Sequence, residues 1–232
     1  MPWMIGQGDY SKQPLGIYFK EGEAKKFRAH QLSVQREILG VDLPDPDLFY
    51  TMGIPMPPTP EVPQLYIAKK MKKIRHVMGS DVGVLFSDTA RAIIEDIEPD
   101  VHAFYPVNVE GREERGFTEE YHILHVRSRL KAIARDVPES QKFFVLWDYN
   151  PKYRHENFSD YYFSIKYGQL ALQNNPPNIF VKKSVVEGRA LWAEYGLPGK
   201  YCEFFACDEF VRRLGKSGFG GRSPDVKVGV VE

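Results

Sequence analysis

Cysteine is nearly missing from this chain. Of 232 residues only Cys202 and Cys207 carry a thiol, too few for a disulfide framework and too close along one strand to bridge without a sharp bend. A reducing compartment is therefore expected. Net charge is missing too: Lys+Arg and Asp+Glu both number 31, so the field of the whole molecule neither draws it toward polyanions nor repels it, and nucleic acid is not an expected partner. No run approaches the roughly 18 to 20 apolar residues of a membrane helix. The opening Met-Pro-Trp-Met-Ile-Gly-Gln-Gly lacks a basic stretch leading into an apolar one, which predicts a cytoplasmic protein with no membrane partner. Phosphate-cradling loops are also lacking. Gly218-Phe219-Gly220-Gly221-Arg222 and Gly6-Gln7-Gly8 are followed by neither Lys-Ser/Thr nor a helix, so both read as turns, and no cofactor is expected.

What is present is an apolar fraction of 43%, enough in a chain of this length to build a large core without staples. The clearest signal is a pattern that occurs twice: apolar strand, polar cap, amphipathic helix, turn and further strand. The first copy runs Gly83-Val84-Leu85-Phe86, the cap Ser87-Asp88, a helix to Ile97, and a strand from Val101 to Val109. Ala90, Ile93, Ile94 and Ile97 share one helical face, and Ser87 has the hydroxyl to cap the first turn. The second copy runs Cys202 to Ala206, Cys207-Asp208, Glu209 to Leu214, then Gly218 to Gly221.

Other segments are read from period and punctuation. Residues 1–63 form a separate Pro-rich wrapping segment, because seven prolines between Pro44 and Pro63 forbid a sustained helix or central strand there. Within it, Phe27, Leu32, Val34, Ile38 and Leu39 are spaced too irregularly for more than a short helix. Leu65 to Ile67 reads as a strand, and Lys69 to Lys73 as a solvated face. Tyr121 to Val126 pairs with the Val101–Val109 strand as a hairpin whose long charged turn is Glu110 to Gly116. Phe143–Trp147, Tyr161–Ile165 and Ile179–Val181 are aromatic-rich or β-branched and read as strands. Ser184 with Glu187 resembles a capping box before a helix through Ala190, Leu191, Trp192 and Tyr195, closed by Gly196 and Pro198, although Gly188 weakens it. The result is an α+β domain over 64–232, with mixed or antiparallel sheets, few helices and two related strand-cap-helix-strand units.

The sequence offers few constellations for chemistry. His102, His122 and His125 would approach one another if the two strands pair, but His122 and His125 lie three apart and face opposite sides of a strand, so no metal site is expected. Asp96, Glu98 and Asp100 read as a solvated acidic turn. Cys207 stands at a helix N-terminus, where a thiol can be activated, yet it occupies the position of the capping Ser87 and a structural role is plainer. The segment Trp147-Asp148-Tyr149-Asn150-Pro151-Lys152-Tyr153-Arg154 is rich in the residue types that anchor interfaces. Trp147, Tyr149, Tyr153 and Arg154, with Arg112, Glu113 and Glu114 of the charged turn, are the predicted partner-binding residues.

The stretch VLFSDTARAIIEDIEPDVHAFYPVNV with EYHILHVRSRLKAIAR, and further on NNPPNIFVKKSVVEGRALWAEYGLPGKYCEFFACDEFVRRLGKSGFGG, resembles immunity protein family eleven of bacterial polymorphic toxin systems, once catalogued as a domain of unknown function. The resemblance runs from about residue 60 to 230. It departs from the family at Cys207-Asp208, where Ser-Asp is common, and at Arg222-Ser223-Pro224-Asp225, where a more apolar strand is usual. What it implies is a protein that binds and neutralises a cognate toxin or effector, with no catalytic residues to carry over. The rival expectations are a small hydrolase or transferase using His122 or Cys207 with a carboxylate, and a structural subunit of a secretion-related assembly.

Overall fold

The computed structural model describes residues 1–5, 16–39, 61–69, 71, 73–80, 83–134, 136–138, 140, 148–149, 163–164, 179–194, 204–220 and 224–232. In chain order its elements are β1 (Trp3–Ile5), β2 (Ile17–Phe19), α1 (Glu23–Leu39), β3 (Gln64–Ile67), β4 (Val77–Ser80), β5 (Gly83–Ser87), α2 (Asp88–Ile97), β6 (Ala103–Glu110), β7 (Tyr121–His125) and β8 (Arg129–Leu130). There follow β9 (Asp148–Tyr149), β10 (Phe163–Ser164), β11 (Phe180–Lys182), α3 (Lys183–Val186), β12 (Leu191–Glu194), β13 (Phe204–Ala206), α4 (Asp208–Leu214), β14 (Phe219–Gly220), β15 (Pro224–Lys227) and β16 (Gly229–Val231).

Two mixed sheets carry the fold. The larger has the order β14-β4-β5-β7-β6-β3-β2, the smaller β15-β1-β13-β12-β8. Within the larger sheet β14–β4 and β6–β3 are parallel and the other pairs antiparallel. The expected hairpin is present, with Tyr105 opposite Ile123 and Val107 opposite Tyr121. The architecture is α+β, as the sequence predicts.

Alternation along the strands decides which side chains meet. On β5, Val84 and Phe86 join one core with Ala90, Ile93 and Ile94 of α2, Phe210, Val211 and Leu214 of α4, and Trp3, Ile5, Leu191, Phe204 and Ala206 of the smaller sheet. Leu85 points the other way, into a second core with Phe27 and Val34 of α1 and Leu65, Val109, Tyr121 and Ile123. Trp192 and Phe205 turn to the far side of the smaller sheet, stacked with ring centroids 5.5 Å apart, among Ile133, Ile179, Val181 and Val228. Strands buried on both faces read as unbroken apolar runs, which is why GVLF and FFA carry so strong a signal.

Both caps form. Ser87 Oγ accepts the Ala90 N–H, and Cys207 Sγ accepts the Phe210 N–H at 3.4 Å. The strands that follow differ in placement: β5 and β6 belong to one sheet, whereas β13 lies in the smaller sheet and β14 in the larger.

Three expectations change. The helix through Ala190 and Trp192 is not a helix: α3 stops at Val186, Gly188 has a φ of 75°, and Leu191–Glu194 is a fully buried strand held between β13 and β8. Capping logic fails there because tertiary pairing on both sides overrides local preference. Tyr195, Gly196 and Pro198 lie outside the described residues. Conversely, α1 is seventeen residues long. Its core stripe is Phe27, Gln31 and Val34, all buried, and the glutamine in the middle hides the helical period. Asp96, Glu98 and Asp100 do not form one solvated turn, because Glu98 is buried. Residues 1–63 contribute β1, β2 and α1, so the Pro-rich segment supplies a strand to each large sheet. Phe143–Trp147 lies outside the described residues.

Candidate functional site

The connection from β6 to β7 builds the most distinctive surface among the described residues. After Glu110 the chain makes a short 3-10 turn over Glu113–Arg115, closed by Gly116 at φ 71° with its N–H on Glu113 O. Both arginines fold back into the turn. Arg112 Nη1 donates to Val109 O and Nη2 to a Glu120 carboxylate oxygen, while Arg115 Nε donates to Met71 O at 3.1 Å and Nη1 to Gly111 O at 2.6 Å. Glu113 and Glu114, with side chains 75% and 83% exposed, face solvent and reach the arginines only at the edge of ion pairing, Glu113 Oε1 3.9 Å from Arg112 Nη2 and Glu114 Oε2 4.0 Å from Arg115 Nη1. The tip therefore displays its carboxylates outward and holds its guanidinium groups behind them. Of the predicted partner-binding residues, Arg112 is thus engaged within the turn, and Glu113 and Glu114 are presented outward.

Behind the tip lies an open cleft of about 310 Å³, walled by Arg75, His76, Phe117 and Glu119 on one side and Leu214 and Ser217 on the other. Phe117 is fixed by stacking on Tyr121, centroids 5.2 Å apart, and by contact with the His76 ring at 5.6 Å. Glu119 is occupied at the start of α2, where Thr89 donates to it through both backbone N–H and hydroxyl at 2.8 and 2.9 Å. Burial pushes its carboxyl up, but the bonds from Thr89 and Ser87 and the neighbouring His76 outweigh that and leave it below the usual range.

Ser87, His76 and Glu119 approach one another as the members of a hydrolytic triad do, yet the geometry serves another purpose. His76 Nδ1 lies 2.9 Å from Ser87 Oγ and 3.4 Å from Glu119 Oε1. A relay needs the two partners on opposite ring nitrogens. Here one nitrogen faces both, and the buried Ser87 hydroxyl accepts a helix N–H. The cluster caps α2.

The two residues nominated for catalysis sit in similar structural roles. His122 Nε2 bonds Asp88 Oδ1 at 2.8 Å, and its ring meets Phe104 edge-on. Burial pushes the Cys207 thiol up, away from the thiolate a nucleophile needs. Neither residue lines the cleft. His102 is accounted for in the same way. His102 Nδ1 accepts the Arg127 N–H and so Nε2 carries the proton toward Glu98. Burial, with Arg129, Arg127 and His102 nearby, holds the buried His125 neutral with a pKa of about 3. Among the described residues no group of three or more His, Cys, Asp or Glu is placed to hold a metal.

Sequence reasoning missed Glu98. It follows α2 directly and accepts from His102 Nε2, Ser128 Oγ at 3.0 Å, Arg189 Nη1 at 2.9 Å and the Ala190 N–H at 2.9 Å. Burial opposes its charge, but these donors outweigh it and hold the carboxyl at about 2. The carboxylate ties the end of α2 to the chain entering β12. Nothing in Ile-Glu-Pro-Asp marks it, because its donors come from residues up to 92 positions away.

Of the aromatic segment, Trp147, Tyr153 and Arg154 lie outside the described residues. Tyr149 is in β9, paired with Phe163 of β10. A second exposed feature went unread: on the outer face of β2, β3 and β6, Tyr18 and Tyr66 are paired at 5.8 Å, and Asn108 donates to Gln64 beside them. Tyr66 is 43% exposed.

Among the described residues, His76, His102, His122 and Cys207 of this α+β scaffold cap helices or bridge elements, and carboxylates and tyrosines are displayed on turn and sheet. The chain belongs to the Immunity protein family (Imm11), whose family model matches residues 11–144. The match includes both walls of the β6–β7 connection and reaches into the Pro-rich segment; the C-terminal stretch that also suggested the family lies beyond it. No curated protein and no solved structure matches the chain.

Proposed function

We propose that this chain is a non-enzymatic immunity protein that binds the toxin or effector domain encoded beside it and neutralises it by occluding its active site, in the cytoplasm of a bacterium that competes through a polymorphic toxin system. Family membership is the observation that carries the reading. The arrangement of the β6–β7 turn supports it, since inward-tied arginines and outward glutamates make a preformed charged surface that orders little on binding. Glu113 and Glu114 are the partner-binding residues of the turn, with Arg112 holding its shape. Trp147, Tyr149, Tyr153 and Arg154 are proposed as a second contact.

Expression of the adjacent toxin domain in cells, with and without this chain, tests the reading. Growth rescue together with a co-purifying complex is the expected result. Rescue without a complex would return the hydrolase or transferase reading, and no rescue would return the structural subunit. Within a complex, Glu113→Lys with Glu114→Lys should weaken binding by about 10-fold or more through like-charge contact, as rim charges do. Binding unchanged by that pair would remove the turn from the interface.

A further inference from the structure

We infer that the cleft behind the β6–β7 turn receives an acidic side chain of the toxin, with the Arg75 guanidinium as its counter-ion; this rests on the immunity reading above. Charge bookkeeping inside the cleft leads there. Arg91, Arg112, Arg115, Arg189 and Arg213 each hold a carboxylate or a carbonyl. The Arg75 guanidinium holds none among the described residues, and only its backbone carbonyl is used, by the Tyr121 hydroxyl. The one carboxylate lining the cleft, Glu119, is taken up by Thr89 and His76. Arg75 is therefore the charged side chain of the cleft that has no partner among the described residues, while the Glu119 carboxylate keeps its charge and has its donors in place.

The walls suit one side chain. Phe117 is a fixed apolar face against which the stem of an entering side chain can pack. The exposed Ser217 offers a hydroxyl across the opening. Gly220 gives Arg75 its place: a Cβ there would stand 2.8 Å from Arg75 Cγ and 3.1 Å from its Cβ. A guanidinium presents its donors in a planar fork that matches a carboxylate. A polyanion fits poorly, because Glu113 and Glu114 project from the same connection. One ten-residue segment thus presents carboxylates outward and walls the cleft that holds Arg75, and a partner matching both is fixed in register as well as attracted.

The test is the affinity of the purified full chain for an inactivated form of the adjacent toxin domain, measured by calorimetry. Arg75→Glu should weaken binding by about 100-fold and Arg75→Gln by about 10-fold, while Arg75→Lys retains most of it. Ser217→Asp, on an exposed position that leaves the core alone, should also weaken it. A lysine placed at one acidic position of the toxin should restore binding to Arg75→Glu. If Arg75→Glu and Ser217→Asp both bind within twofold of wild type, the cleft is not toxin-facing and the inference fails while the immunity reading stands. If the wild-type chain itself does not bind, the immunity reading fails first. Inorganic phosphate at millimolar concentration competing as well as N-acetylglutamate would also overturn it, assigning the cleft to free anions.

Discussion

At the scale of single residues, buried charge is managed by donors that the sequence does not place together. Removing Glu98 leaves Arg189, His102, Ser128 and the Ala190 N–H without their acceptor, so Glu98→Ala should cost about 3 kcal/mol in urea unfolding, as truncated buried networks do. Two groups with large shifts weigh on the acid limb of stability, alongside the smaller downward shifts of Asp88 and Glu119. His125 drops from 6.5 to about 3 on folding, so its contribution is complete above pH 6.5 and shrinks as pH falls toward 3. Glu98 drops from 4.5 to about 2, so its contribution is complete above pH 4.5 and is lost toward 2. The native state binds fewer protons in both ranges, and stability must fall with pH. Urea midpoints followed by tryptophan fluorescence should decline below about pH 6.5 and more steeply below 4.5; in His125→Gln the upper decline should flatten.

At the scale of elements, the two capped helices invite a direct comparison. Ser87→Ala removes the acceptor of the Ala90 N–H and the partner of His76, and should cost about 2 kcal/mol, the upper end for a cap. Cys207→Ser exchanges a weak thiol acceptor for a hydroxyl at the same position of α4, so stability should change by no more than about 1 kcal/mol. A large loss there, measured by thermal unfolding, would show that the sulfur matters for packing and not for the cap. Element identity was legible where period and punctuation agreed, as in β5, α2, β6 and β7. It was not legible in Leu191–Glu194, whose apolar run suits helix or strand alike until β13 and β8 pair with it. In α1 the buried Gln31 interrupts the apolar stripe, and the helix looks shorter than it is.

At the scale of the whole molecule, two sheets share a core through α2 and α4, which touch each other. Phe86 and Phe204 meet across that core, centroids 5.7 Å apart. Phe86→Ala should therefore cost about 4 kcal/mol and loosen both sheets together; loss of only the larger sheet's protection in hydrogen exchange would show that the layers unfold independently. Trp3 joins the N-terminus to the same core, its indole N–H donating to Asp208 at 2.9 Å and its ring facing Lys216. The sequence by itself determined the α+β class, the two capped helices, the hairpin and the family resemblance, because each rests on contacts within a few residues: a cap oxygen three positions from its N–H, a period of two along a strand. The order of strands in each sheet, the conversion of Glu98 from a turn acid to a buried hub, the turn that ties two arginines inward behind exposed carboxylates, and the cleft with an unpaired Arg75 were decided only by tertiary structure. Those depend on which distant groups reach a charge first, and no local spacing encodes that competition.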